Sequence, residues 1–274
     1  MNSLSRVPAV QISGNFFRKL ILRRHLIFNF VVRDLKSRYV GSVMGIFWSV
    51  VHPLVLLACY SFVFQVVFRV RPISAATDNF ALFLFCGILP WLYFQESLTR
   101  SCGCILENSN LIRKTLFPSE ILPVTHILSN LVTHALGMLI LLAVLGWMGL
   151  LGWKAVFVLV YIALMAVLAL GLGWLLAALQ VFLRDTLQVL TVVLVFWFWF
   201  TPIFYSAGQV PEPYQDLIRL NPLAYVVEGY RRTLLEGRYP EPQSLLILAG
   251  FALFLFLAGG YVFRNTKREF IDVL

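Results

Sequence analysis

Charge is scarce in this sequence of 274 residues: Asp, Glu, Lys and Arg make up 13% of it, whereas 60% is apolar. A soluble globular protein is roughly a quarter charged, so half that share cannot cover a water-facing surface. The shortage excludes a soluble enzyme, a disordered chain and a coiled coil. The mean hydropathy is +0.84. The sequence therefore describes an integral membrane protein.

Motifs for catalysis, nucleotide binding and metal binding are also missing. There is no GxxxxGK[ST] loop, no HExxH and no Ser-His-Asp set. The four cysteines lack CxxC or CxxH spacing, so neither a zinc site nor a disulfide framework is indicated. We predict no catalytic residue, no metal site and no cofactor bound by this chain. Any uphill work must then use fuel consumed by a partner.

Six stretches are apolar enough to cross a bilayer, which takes about 20 residues. We predict spans at 42–68, 80–98, 121–150, 155–183, 187–205 and 245–263. No cleavable signal peptide is visible before the first of them. With six spans, 15 Lys and Arg fall on the side of the termini and 7 on the other. The positive-inside rule then predicts both termini in the cytoplasm, and the fold class is an all-α, single transmembrane domain over residues 1–274.

Residues 20–40 form an amphipathic segment before the first span. Apolar residues such as Phe28 and Val32 share one helical face, and polar residues such as Asp34 share the other. We predict a helix in the membrane interface, with its apolar stripe in lipid and its basic face in water; packing on the protein is the alternative. Candidates for binding anionic headgroups, with ordinary solvated charge as an equal alternative, are Arg33, Lys36 and Arg38.

The loop at 103–118 mixes amides, a basic pair and apolar anchors. Asn108 can cap a short helix there, and Pro118 would end it. Exposed apolar residues on such a helix would suit the docking of a soluble subunit, and a merely solvated loop is the alternative. The docking candidates are Asn108, Asn110, Leu111, Ile112, Arg113, Lys114, Phe117 and Pro118.

Residues 206–244 interrupt the last two spans without being plainly polar. Asn221-Pro222 is a strong turn signal. We predict two short helices that dip back toward the membrane around this turn. Glu228, Arg231 and Arg232 lie at three- and four-residue spacing and could pair.

A few residues inside the spans invite an interpretation. Glu96 and Arg100 are four residues apart, which favours a structural ion pair, although an intramembrane charge is also a functional candidate. Gly171 and Gly173 are typical of close helix packing, as are Gly41 and Gly45 in their small-xxx-small arrangement.

Aromatic residues make up 15% of the chain and are clustered, with five in a row at 196–200. Successive residues turn about 100° around a helix, so these five cannot all face lipid at one interface. Flat aromatic faces suit sugar rings, whose C–H faces are apolar while their hydroxyls stay wet. Carbohydrate binding is one interpretation, and an interfacial belt combined with packing is the other.

Six stretches stand out in order over nearly the whole chain: 32–53 (VRDLKSRYVGSVMGIFWSVVHP), 84–94 (LFCGILPWLYF), 108–123 (NSNLIRKTLFPSEILP), 182–186 (FLRDT), 201–205 (TPIFY) and 219–231 (RLNPLAYVVEGYR). Together they resemble the transmembrane subunit of type-2 ABC exporters for polysaccharides and polyol phosphates, a family with O-antigen, capsule and teichoic acid permeases. His52 departs from the pattern, since Asn or Glu is expected before Pro53.

The resemblance implies a homodimer with two copies of a cytoplasmic ABC ATPase, which would bind ATP and Mg²⁺. Loop 103–118 would be the coupling loop in the ATPase cleft, and 206–244 a gate hairpin before the last span. The implied gate residues are Asn221, Pro222, Leu223, Glu228 and Arg231. The implied channel lining is Trp91, Tyr93, Phe94, Trp197, Phe198, Trp199, Phe200 and Tyr205.

The expected function is therefore that of a permease subunit in the bacterial inner membrane. It would export a glycan carried on polyprenyl pyrophosphate, in contact with membrane lipids and without nucleic acid. Two alternatives stay open: an ABC exporter of a drug or small lipid, and a membrane-embedded transferase acting on lipid-linked sugars.

Overall fold

The computed structural model describes residues 22–69, 79–114 and 117–274, and every regular element in them is helical. The α-helices are α1 (Arg24–Tyr39), α2 (Trp48–Ser61), α3 (Phe80–Glu107), α4 (Ser109–Lys114), α5 (Ile121–Trp147), α6 (Val158–Phe182), α7 (Thr186–Phe200), α8 (Glu212–Arg219), α9 (Pro222–Tyr230), α10 (Pro242–Thr266) and α11 (Phe270–Val273). Wider π-helical turns extend α2 over Phe62–Val67 and α9 over Arg231–Leu235. The predicted all-α class is confirmed.

Within the described residues, five helical segments are long and apolar enough to cross a membrane: Trp48–Val67, Phe80–Glu107, Ile121–Trp147, Trp153–Phe182 and Pro242–Thr266. The sixth apolar helix, α7, has 15 residues. A helix rises 1.5 Å per residue, so α7 covers about 22 Å of a hydrocarbon core about 30 Å thick. The chain completes this passage as a buried irregular stretch at 201–204. Five long helices and one short one agree broadly with the six predicted spans.

The second span differs most from its prediction. α3 continues to Glu107, nine residues beyond the predicted end at Leu98. Hydrocarbon thickness limits the length of the apolar stretch, whereas the helix continues into the interface until Asn108 ends it. The segment at 103–118 is consequently part helix and part connection.

α6 and α10 form the closest helix pair. A Cβ atom on Gly259 would overlap the carbonyl of Gly171, and one on Gly171 would overlap the backbone of Leu255 and Phe256. The packing role predicted for Gly171 is confirmed. The same prediction is wrong for Gly41 and Gly45, which have φ of +78° and +52° in the turn between α1 and α2, with open space around them.

Two hydrophobic cores hold the helices together. The larger one lies among α3, α5, α6 and the helices of 206–244. The smaller one joins the ends of α3, α4, α6, α10 and α11, with Trp174, Phe263 and Phe270 at its centre. The end of the bundle with α1, α4 and α11 is called the terminal side below, and the opposite end, with residues 206–244, the hairpin side.

Candidate functional site

A groove of about 480 Å³ opens between α2, α3 and α7. It combines aromatic rings with amide and hydroxyl groups, and Nε1 of Trp91 donates a hydrogen bond to Oε1 of Gln95 at 2.7 Å. The aromatic and polar residues that line it are His52, Tyr60, Trp91, Gln95, Thr99, Thr191, Phe198 and Trp199. Such a surface is apolar on ring faces and wet at the edges, as a sugar ring requires.

The predicted channel residues divide into two groups. Trp91, Phe198 and Trp199 line the groove, and Phe200 is exposed on α7. The four others pack inside the protein or bind its backbone: the Phe94 and Trp197 rings meet edge-on at 5.1 Å, and the Tyr93 ring lies 5.3 Å from His134. Tyr205 donates a hydrogen bond from its hydroxyl to the carbonyl of Trp199. The structure thus brings together only part of the predicted set.

The loop between α3 and α5 contains the expected short helix, α4. The side-chain amide of Asn108 donates to the carbonyl of Cys104 at 2.9 Å. The backbone carbonyl of Asn108 accepts from the N–H groups of Leu111 and Ile112. Asn108 therefore joins the end of α3 to the start of α4.

The apolar residues that the structure describes in this loop do not form the exposed knob that the sequence suggested. Ile112 is 5% exposed in the smaller core, and the Phe117 ring packs 5.1 Å from the Phe30 ring of α1. Leu111 and Pro118 are half-buried, while Asn110 and Arg113 are exposed. The apolar residues hold the loop on the bundle because burial is more favourable than exposure to water. The side chain of Lys114 lies outside the described residues.

Glu120 follows this loop, and its side chain is 4% exposed. Its carboxylate accepts a hydrogen bond from Nζ of Lys267 at 3.2 Å and lies 3.8 Å from Nη1 of Arg23. One carboxylate therefore connects the loop with residues near both ends of the chain.

The hairpin at 206–244 turns at Asn221, as predicted. Its side-chain oxygen accepts hydrogen bonds from the N–H of Leu223 at 3.0 Å and from Nε1 of Trp197 at 2.8 Å. Its amide donates to Oγ1 of Thr201 at 2.9 Å. Pro222 begins α9, where a missing N–H costs nothing. Asn221 thus ties the hairpin to the end of α7.

Arg231 does not form the pair with Glu228 that the spacing allows. It is 6% exposed, and its guanidinium donates to the carbonyls of Pro202 at 2.7 Å, Ile203 at 2.6 Å and Phe83 at 3.3 Å. It also lies 3.4 Å from the centroid of the Phe83 ring. The carbonyls of Pro202 and Ile203 are available because α7 ends in irregular backbone, whereas that of Phe83 lies in the first turn of α3. Glu228 is exposed instead, and Arg232 lies 3.9 Å from Glu241.

Asp34 of α1 is the centre of a polar cluster with α3 and α5. Its carboxylate is 9% exposed and accepts two hydrogen bonds from Arg100, at 2.6 and 3.0 Å, and two from Arg38, at 3.1 and 3.0 Å. Nδ1 of His126 lies 3.3 Å away. Burial favours the neutral acid, but His126 and the charge of Arg100 outweigh it and hold the pKa of Asp34 below its usual range.

This cluster corrects two expectations. Arg100 pairs with Asp34 and not with Glu96, which is exposed and makes no ion pair with any residue that the structure describes. The polar face of α1 packs on the protein through Asp34 and Arg38, while Phe28, 66% exposed, points outward. Of the three headgroup candidates, Arg33 and Lys36 are exposed, whereas Arg38 is engaged in the cluster.

Comparison with known families decides the classification. The family described as ABC-2 type transporter matches residues 25–235, from α1 through the turn that follows α9. The chain belongs to the ABC-2 type transporter family. A member of this family is a transport subunit that works with a partner ATPase, and it is not itself an enzyme.

Three curated proteins illustrate the relationship. This ABC-2 transporter chain is 29% identical to the O-antigen export system permease protein RfbA of Myxococcus xanthus over 93% of this chain and 97% of that protein. It is 30% identical to RfbA of Klebsiella pneumoniae over 88% of this chain and 92% of the relative. The polysialic acid transport protein KpsM of Escherichia coli is 24% identical over 88% and 93%.

Sequence reasoning missed several residues of the ABC-2 transporter that the structure brings together. The sequence pattern places Asp34 in water and assigns no role to Glu120. Asp34 is the lone acid among the basic residues of the α1 face, and that isolation was the available signal. Tyr60 of the groove carries no such signal, because it stands apart from the aromatic clusters.

Proposed function

We propose that this chain is the permease subunit of an ATP-driven exporter that moves a lipid-linked polysaccharide across the bacterial inner membrane. The relatives named for O-antigen export and polysialic acid transport support this substrate class. The observation that carries the proposal is the groove between α2, α3 and α7, where Tyr60, Trp91, Phe198 and Trp199 alternate with amide and hydroxyl groups. Rings and hydrogen-bonding groups together suit a polymer of sugar rings better than a lipid tail.

The working assembly is a homodimer with two copies of a cytoplasmic ATPase, which binds ATP and Mg²⁺. A single copy leaves the groove open on one side, and the neighbouring face of α7 is apolar and exposed at Val192, Val195 and Phe196. A second copy facing this surface would close the groove into a channel. The distribution of Lys and Arg supports a cytoplasmic location for both termini, and hence for the terminal side.

In the proposed cycle, closure of the ATPase presses on the coupling loop. Asn110 and Arg113 are the exposed contacts, while Ile112 and Phe117 transmit the displacement because they are anchored in the bundle. Exposed Arg33 and Lys36 attract the pyrophosphate of the lipid carrier to the cytoplasmic rim. Asn221, Pro222, Leu223 and the turn after α9 gate the opposite side.

The partnership is tested by co-expression with the cognate ATPase. The two proteins should co-purify from detergent, and Arg113→Glu should weaken the association because it reverses an exposed charge on α4. Arg219→Glu, an exposed charge on the hairpin side, is the matched control. If both variants co-purify with the ATPase as well as the unmodified protein does, docking through α4 is contradicted.

The substrate is tested by complementation of a deletion strain, with surface glycan measured against glycan retained inside. The double variant Trp91→Leu, Trp199→Leu should reduce surface glycan about ten-fold, because each ring contributes roughly 0.5–1.5 kcal/mol beyond its buried area. Trp147→Leu, on a side chain that is 94% exposed at the end of α5, is the control and should export normally. If the double variant is folded and its export is undiminished, glycan binding in the groove is refuted and a small-lipid cargo is favoured.

A further inference from the structure

Tyr230, the last residue of α9, is fully buried. Its hydroxyl lies 2.9 Å from Nε2 of His134 in α5, which is 5% exposed. A polar group that loses its partner in such an environment is costly. This hydrogen bond therefore fixes the hairpin to the third long helix. The next residue, Arg231, holds the carbonyls of Pro202 and Ile203.

One helical turn before His134, Asn130 makes the corresponding contact with α1. Its side-chain oxygen accepts a hydrogen bond from Nη2 of Arg38 at 2.6 Å, and its amide donates to Oγ of Ser97 in α3 at 3.2 Å. Asn130 is 2% exposed. Residues four apart lie on one face of a helix and about 6 Å apart along its axis. A single turn of α5 thus separates the hydrogen bond to α1 from the hydrogen bond to the hairpin.

The middle of α1 contacts the loop that contains α4. Phe30 packs against Phe117, and four residues later Asp34 binds Arg38 and Arg100. A continuous path of packed and hydrogen-bonded groups then leads from the loop through α1 and one turn of α5 to Tyr230. Each step lies between described residues, and the polar steps are buried or half-buried.

We infer that Asn130 and His134 are positioning residues that couple the position of α1 to the position of the hairpin. Displacement of α1 shifts α5 through Asn130, and α5 pulls on Tyr230 through His134. The hairpin therefore moves when the loop on the terminal side is pressed. This inference rests on the proposed function, since it assigns a role within an ATP-driven transport cycle.

The most direct test is Tyr230→Phe in the complete complex with its ATPase, because this change removes one hydroxyl and keeps the ring. Glycan exported per ATP hydrolysed should fall about three- to ten-fold, the range that one buried hydrogen bond provides. The ATPase rate should stay unchanged. His134→Leu should have the same effect, whereas His134→Gln, which keeps a hydrogen-bonding group near the position of Nε2, should restore coupling.

Tyr161→Phe is the matched control. Tyr161 is also buried, and its ring packs against Gly229, the neighbour of Tyr230 in α9. It has no part in the path from α1, so export per ATP should match the unmodified complex.

A second readout does not depend on the cargo. Tyr214, 63% exposed on α8, is replaced by Cys in a Cys59→Ala background, and its reaction with a membrane-impermeant maleimide is timed with and without ATP and vanadate. The nucleotide-dependent change in labelling rate should persist in Tyr161→Phe and disappear in Tyr230→Phe and His134→Leu.

Two results overturn the inference: Tyr230→Phe retains both the export ratio and the labelling change, or ATP hydrolysis and export fall together in proportion. If the unmodified complex exports no glycan, the proposed function fails. The labelling experiment still decides the coupling role in that case, because it follows the hairpin and not the cargo.

Discussion

Two buried charges stabilise this transporter in different ways. Asp34 is neutralised by opposite charge, since Arg38 and Arg100 both bind its carboxylate. Arg231 has backbone carbonyls and the face of the Phe83 ring around it, and no carboxylate of the described residues lies within ion-pair distance. Both side chains are buried within the protein and do not face lipid, where a charge would be energetically costly.

The difference shows what each site depends on. The Asp34 cluster forms only when residues of three separate helices come together, so it depends on the relative position of α1, α3 and α5. The Arg231 site needs carbonyls that no helix has used, and these exist only because α7 ends early at Phe200. The first site joins side chains and can adapt, whereas the second is fixed by the path of the backbone.

The largest effect is expected for Arg231→Met, which leaves at least three carbonyls without a donor. We expect a loss of about 3–5 kcal/mol in the free energy of unfolding, because unpaired buried groups carry their full desolvation penalty. Arg231→Lys should lose less, since it keeps the charge but not the planar fork. Reversible unfolding in mixed micelles measures both. Equal losses would contradict this expectation, because they would show that the retained charge contributes nothing and that the carbonyls require the planar fork.

Asp34→Asn should cost somewhat less, about 2 kcal/mol, because Arg38 and Arg100 lose a buried partner but retain access to water. Their side chains are 15% and 23% exposed. Glu96→Gln on the exposed side of α3 is the control and should leave stability unchanged. Protease protection of α1 provides an independent measurement; unchanged protection in Asp34→Asn would refute docking of α1 through this cluster.

The same cluster predicts a pH dependence. The pKa of Asp34 is lowered in the folded protein, so its contribution is present above the ordinary carboxyl range and is lost as pH falls through the folded value. The stability difference between the unmodified protein and Asp34→Asn should therefore be constant near neutral pH and shrink under acidic conditions. A difference that grows on acidification would have the wrong sign for this assignment.

A smaller effect is expected where the ion pair is partly open to water. Lys267→Met breaks the pair with Glu120, and Lys267 is 30% exposed. The loss should be about 1 kcal/mol after allowance for solvent screening. Arg219→Ala breaks the exposed Arg219–Asp216 pair and should change stability by about 0–0.5 kcal/mol. A reversed order of these two values would show that exposure does not control the contribution of ion pairs in this protein.

Much of the helical framework follows from local pattern. The apolar stretches located the long helices to within a few residues at most ends, Asn221-Pro222 marked the hairpin turn, and Gly171 marked the closest helix contact. α3 was predicted too short because hydropathy measures the contact with lipid and not the length of the helix. Gly41 and Gly45 were misread because the same spacing occurs in helices and in turns.

Partners of polar residues could not be predicted in the same way. Arg100 has Glu96 on its own helix face four residues away, yet it binds Asp34, which is 66 residues distant in sequence. Ile112 and Phe117 have the composition of a docking surface, but the ends of α6 and α10 provide a core that covers Ile112. In both cases the deciding group belongs to another helix.

The sequence by itself determined that this chain lies in a membrane, where most of its long helices lie, and which of their faces are polar. These properties depend on transfer from water and on hydrogen bonding within one segment. Only the tertiary structure decided which polar faces meet, that Asp34 is buried rather than wet, and that one turn of α5 connects α1 to the hairpin. Such contacts depend on where separate helices come together, and no local pattern encodes that.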